Sequence, residues 1–157
     1  MQKDLGGIAF WLLFIILALP PLSRVTGIKL ITLIMSFRKE LGILMGVLAF
    51  MHYTLFIVLM GGFTALTNMN PEPWFIAGFV ALIPTLLLLI SSNTWSMKFL
   101  GKWWKRLHKG VYLIAALVVA HVLLLSPARL EFLVPVILYA IVKIADLASV
   151  RLYARNP

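Results

Sequence analysis

Residues 41–62 read LGILMGVLAFMHYTLFIVLMGG, and residues 110–128 read GVYLIAALVVAHVLLLSPA. Neither stretch holds an Asp, Glu, Lys or Arg, and each carries one histidine in its apolar body, His52 and His121. About 20 apolar residues of helix cross the hydrocarbon core of a bilayer. Both stretches therefore predict membrane spans. An ionisable ring inside such a span is costly to hold there, which makes each histidine a functional candidate.

The rest of the chain agrees. Three further apolar stretches bring the predicted spans to about five, at approximately 5–22, 41–62, 73–92, 107–126 and 130–148. The composition is 62% hydrophobic and 12% charged, against about 45–50% and about 25% in soluble domains. The expected fold is an all-α integral membrane bundle forming one domain over residues 1–157. The first stretch lacks a small-residue cleavage site, so it reads as a retained helix that stops at Pro20-Pro21. Residues 28–37 are apolar but too short to span, and predict a surface-lying or re-entrant segment. Residues 61–73, rich in Gly, Asn, Thr and Pro, predict an irregular loop. Lys143 and Asp146 stand three apart and can pair on one helix face.

The net charge of +9 is not a nucleic-acid signal, because the basic residues sit in short segments between apolar ones. Twelve of them fall on one side, from Arg24, Lys29, Arg38 and Lys39 through the 98–109 segment to Lys143, Arg151 and Arg155. Lys3 and Arg129 alone fall on the other. The positive-inside rule then expects a cytoplasmic C-terminus and an external N-terminus. With no cysteine, disulfides, iron–sulfur clusters, thiolate metal sites and covalently attached c-type heme are excluded. The four cleanest spans hold no carboxylate, which argues against a proton pump. No nucleophile–His–acid set within the bilayer supports a hydrolase.

Depth decides which histidines can meet. His52 lies about 19 Å along its helix from Lys39, and His121 about 18 Å along its own from Lys109, at 1.5 Å per residue. Two imidazoles at equal depth can hold the iron of a heme b between two helices. They can equally be interhelical hydrogen-bonding groups in a cofactor-free assembly or transport protein. Gly42, Gly46 and Ala49 on one helix, and Ala115, Ala116 and Ala120 on the other, leave room for a flat cofactor or for close packing. His108 sits among Lys105, Arg106 and Lys109 at the membrane edge, too far from His52 to share an iron. On an ideal helix it points about 140° away from His121. Trp95, Trp103 and Trp104 read as an interfacial aromatic belt.

Two stretches carry a resemblance. Residues 37–56, FRKELGILMGVLAFMHYTLF, and residues 89–125, LISSNTWSMKFLGKWWKRLHKGVYLIAALVVAHVLLL, look like the two ligand-bearing regions of the ferric-reductase-like transmembrane domain family. Residues 7–27, ending in Pro-Leu-Ser-Arg-Val-Thr-Gly, are similar more weakly. The likeness is to the small bacterial MsrQ (YedZ) branch, the heme-binding membrane subunit of a periplasmic methionine sulfoxide reductase system, and it implies a place in the bacterial plasma (inner) membrane. The resemblance implies heme b held by His52 and His121, with His108 near the cytoplasmic side facing a second heme or a flavin (FMN or FAD). The double-heme relatives carry another histidine where Arg38 stands here, so the resemblance implies one heme, with two requiring another ligand. Arg38, Lys102 and Arg106 are candidates for heme propionates or a flavin phosphate by charge. The implied function is electron transfer from cytoplasmic reduced flavin, or an NAD(P)H-linked flavin reductase, to a periplasmic molybdopterin methionine sulfoxide reductase (MsrP-like). The chain has one span fewer than the family's usual set, and a redox subunit of this kind needs a separate donor. The alternative within electron transfer is direct reduction of a ferric chelate or quinone.

Overall fold

The computed structural model describes residues 2–61, 72–125 and 130–152. The loop expected at 61–73 therefore lies, for residues 62–71, outside the described residues, as do Arg129 and Arg155.

The described residues are helical almost throughout and contain no strand. The helices are α1 (Gln2–Thr26), α2 (Lys29–Ser36), α3 (Arg38–Leu59), α4 (Pro73–Ser91), α5 (Thr94–Leu100), α6 (Lys102–His108), α7 (Val111–Leu125) and α8 (Leu133–Leu147), with a 3₁₀ turn at Leu130–Phe132 before α8. Four helical segments among them are long and apolar enough to cross a membrane: Asp4–Thr26, Arg38–Leu59, Pro73–Ser91 and the α6–α7 pair Lys102–Leu125. The fifth expected span corresponds to α8, which is shorter at 15 residues. It packs along α1.

The most buried helix is α1, lying between α3 and α8 and touching α2 and α7. Its Phe10, Leu13, Phe14, Ile16 and Leu17 form the core with Met45 of α3 and Val111 and Ile114 of α7. Phe10 meets the Phe132 ring edge-on at 5.3 Å, which seats the 3₁₀ turn on α1. A second tight pair, α4 with α7, joins this unit through α3. Gly46 makes that junction close, because a Cβ there would stand 3.3 Å from Leu89 Cδ1. Gly42, one turn earlier, has nothing within 4 Å of such a Cβ. The small stripe on α3 is thus a helix contact at one glycine and open space at the other.

The structure corrects the expected end of the first helix. It runs through Pro20 and Pro21 to Thr26. Each proline removes one backbone donor and crowds the preceding turn, but a neighbouring element can hold the turn that follows. Here Thr26 Oγ1 donates to the Leu22 carbonyl at 2.8 Å. Arg24 donates through Nε and Nη2 to the two carboxylate oxygens of Asp146, at 2.9 and 2.6 Å. The Leu152 N–H donates to the Val25 carbonyl at 2.8 Å. Asp146 therefore pairs with Arg24 across helices, with Arg151 at 3.8 Å. Lys143 is not its hydrogen-bonded partner, because a bidentate guanidinium fork outcompetes a single ammonium for a carboxylate. Within residues 28–37, Lys29–Ser36 form helix α2, which has no buried residue.

Two consequences can be measured by thermal denaturation in detergent. Arg24→Ala and Asp146→Ala should each lower Tm, and the double variant should lower it by little more than one of them, because the two residues act as one clasp. Gly46→Val should cost about 1–3 kcal/mol by overpacking against Leu89, whereas Gly42→Val should leave Tm near that of the parent.

Candidate functional site: two cavities stacked between the helices

Helices α1, α3, α4 and α7 enclose a cavity of about 540 Å³. His52 and His121 both line it. Its walls are otherwise apolar and aromatic, with Tyr53, Phe56, Trp74 and Phe79 among them. Phe56 meets Trp74 edge-on at 5.8 Å, and Trp74 lies 5.9 Å from the His121 ring, so the histidine end of the cavity is walled by rings.

Glycines make space for both imidazoles. A Cβ on Gly6 of α1 would stand 2.9 Å from His52 Cε1 and Nδ1. A Cβ on Gly78 of α4 would stand 2.7 Å from His121 Nδ1. Separations below about 3 Å are not tolerated between such atoms, so each ring occupies a slot that only glycine leaves open. In its slot, His121 Nδ1 lies 2.7 Å from the Trp74 carbonyl oxygen. A carbonyl only accepts, so Nδ1 donates and Nε2 keeps the lone pair. That is the tautomer in which an imidazole ligates a metal through Nε2.

A second cavity, of about 530 Å³, lies at the other end of the same four helices. Arg38, Lys39, Lys105 and Lys109 line it, with His108 and Ser92. His108 Nδ1 donates to the Trp104 carbonyl at 3.0 Å, and Nε2 lies 3.5 Å from Ser92 Oγ. Trp104 stacks on the His108 ring with centroids 3.8 Å apart. The two cavities share Leu13, Met45, Thr85 and Ile114, so a partition one side chain thick separates them.

Residues 5–119 match the family model described as the ferric reductase like transmembrane component. The chain belongs to that family. It is 34% identical over 123 residues to curated proteins of Brucella ovis, Brucella canis and Brucella abortus, each named protein-methionine-sulfoxide reductase heme-binding subunit MsrQ. The match covers 76% of this chain and 54% of each relative, so the chain spans about half the length of the curated relatives it matches. No solved structure matches it.

Within this ferric reductase-like domain, the structure brings His52 and His121 to one cavity and sets His108 in the other. The ideal-helix angle between His108 and His121 does not apply, because the two stand on separate helices. Helix α6 ends at His108, and Lys109 and Gly110 break the path before α7 starts at Val111. Arg38 lines the second cavity, but Lys102 and Arg106 do not. The Arg106 guanidinium instead lies over the Trp103 ring, 4.6 Å from its centroid. Trp95 and Trp103 are exposed, as an interfacial belt requires. Trp104 departs from that belt: it is half-buried, donates from Nε1 to the Ser91 carbonyl at 2.9 Å and supports His108. Sequence reasoning did not single out Gly6, Gly78 or the Trp74 carbonyl. A glycine inside an apolar run is the available signal, and it does not say which side chain needs the room.

Proposed function

We propose that this chain is a heme b electron-transfer subunit of the inner membrane, with His52 and His121 as the axial ligands. The observation that carries the reading is the pairing of the two imidazoles in one ring-walled cavity, one of them with its Nδ1 proton given to a backbone carbonyl. Among the described residues no group of three or more His, Cys, Asp or Glu could hold a bare metal ion. Two histidines on separate helices suit a metal whose remaining ligands come with its own macrocycle. The apolar walls suit a porphyrin face, and Gly6 and Gly78 give the two imidazoles their slots against α1 and α4. Held by His52 and His121, heme b would supply a one-electron couple, and ligation by both imidazoles would favour electron passage over oxygen chemistry.

The chain's own residues then do three things. His52 and His121 hold and orient the cofactor. The aromatic and aliphatic walls keep water from it. Leu13, Met45, Thr85 and Ile114 keep the two cavities apart while leaving them within one side chain of each other. With the C-terminus cytoplasmic and the N-terminus external, the basic cavity faces the cytoplasm and the His52–His121 cavity faces outward. Arg38, Lys39, Lys105 and Lys109 make the inner cavity a receptor for an anionic group. A second heme through its propionates, or FMN or FAD through phosphate, fits that charge, with His108 as the ring beside it. The donor is cytoplasmic reduced flavin or a flavin reductase. The acceptor in this reading is an MsrP-like periplasmic methionine sulfoxide reductase; the name of the Brucella relatives, a protein-methionine-sulfoxide reductase subunit, supports the reductase system.

The test is the visible spectrum of purified protein expressed with ample heme, oxidised and then reduced with dithionite. A sharp reduced α-band and a shifted Soret peak are expected. Colourless protein would return both histidines to a structural role. His52→Ala and His121→Ala should each abolish the main signal, while His108→Ala should keep most of it in a one-heme protein. Full heme content in either of the first two variants would defeat the ligand assignment.

A further inference from the structure

Resting on the heme reading above, we propose that Gly78 and the Trp74 carbonyl together form a positioning device for His121. The glycine opens the surface of α4 so that the imidazole N–H reaches the backbone oxygen, and that bond sets the ring's tautomer, its plane and its strength as an iron ligand.

The geometry is specific to these two positions. In an α-helix the carbonyl of one residue is aimed at the N–H of the residue four further on. Trp74 and Gly78 stand four apart in α4, so the side chain missing at 78 would have stood beside the Trp74 oxygen. His121 comes from α7 and fills that place. A Cβ at residue 78 would stand 2.7 Å from Nδ1, 2.9 Å from Cε1 and 3.3 Å from Cγ of the ring. It would therefore meet the atom that makes the hydrogen bond more closely than any other. At 2.7 Å the bond is at the short end for N–H···O. It sits in apolar surroundings, where such a bond is electrostatically stronger than in water.

The chemical consequence follows from charge. An imidazole that gives its Nδ1 proton partly to a carbonyl carries more electron density at Nε2 and is a more basic ligand. A more basic ligand favours the more positive iron, so the device lowers the midpoint potential. Gly6 plays a different part: it gives His52 steric room on α1. Trp74 acts through its backbone and Gly78 through an absent side chain, so both are positioning residues.

The experiment uses His121→Gly protein reconstituted with heme in the presence of imidazole or of 1-methylimidazole. Both offer a ligating nitrogen, but only imidazole has an N–H to give to Trp74. Imidazole is expected to restore the low-spin spectrum with a potential near that of the parent. 1-Methylimidazole is expected to restore the spectrum with a higher potential. Equal potentials with the two ligands would overturn the proposal. Gly78→Ala, which keeps both histidines, is the second measurement, and it decides the matter where His121→Gly takes up no heme. A shift in its low-spin electron paramagnetic resonance g-values with a raised potential, or loss of heme from folded monodisperse protein, supports the device. Parental g-values and potential overturn it. Parent protein that binds no heme overturns the heme reading itself, and this inference falls with it.

Discussion

Everything in this bundle hangs on a narrow waist. Among the described residues, Leu13 of α1 and Ile114 of α7 are the largest fully buried side chains, each 1% exposed, and both belong to the core cluster that includes Met45 of α3. Those three, with Thr85 of α4, line the cavity above and the cavity below. In a bilayer, lipid tails are as apolar as leucine, so helix association relies on close packing and a few polar contacts. Leu13, Met45, Thr85 and Ile114 supply such packing between the two cavities on the same four helices. Thr85 joins the waist at no polar cost, because its hydroxyl is returned to the Ala81 carbonyl at 2.7 Å.

The two cavities are chemically opposite. One is walled by rings and aliphatic side chains and contains two imidazoles; the other is ringed by four cations and one imidazole. The contrast follows from where each lies along the helices. Arg38 and Lys39 open α3, while Lys105 and Lys109 lie at the α6–α7 junction, where a span meets the polar interface. The same repeated device serves both levels: a histidine gives its Nδ1 proton to a tryptophan backbone carbonyl. His121 reaches across helices to Trp74, and His108 reaches back one turn to Trp104. Local and long-range routes arrive at one tautomer, which leaves Nε2 without a proton in both rings, and in His108 that atom lies 3.5 Å from Ser92 Oγ.

Where sequence reasoning and structure part, a tertiary contact is responsible. Pro20 and Pro21 carry a strong local stop signal, yet Asp146 of α8 and the backbone beyond it hold the next turn in place. Lys143 and Asp146 have the spacing of a helix pair, yet Arg24 offers a fork that a lysine cannot match. Trp104 has the composition of a belt residue, but its indole N–H finds the end of α4 and its ring finds His108. In each case the competing partner stands far away in the chain, and a local rule has no access to it.

Apolar run length by itself determined the class of this protein, because a hydrocarbon layer of fixed thickness imposes its dimension on every span. The residue types narrowed the chemistry in the same way: with no cysteine and no carboxylate in the cleanest spans, the histidines stand out as the groups on which to rest a proposed cofactor. The matched depth of His52 and His121 was also legible, since rise per residue in a helix is constant. Azimuth was not, and only the tertiary structure decided it. Which way a ring points depends on how neighbouring helices rotate and where one is broken, as at Lys109 and Gly110 between His108 and His121. For the same reason the fold alone revealed Gly6 and Gly78 as slots: a missing side chain has a meaning only when another helix brings the atom that fills its place.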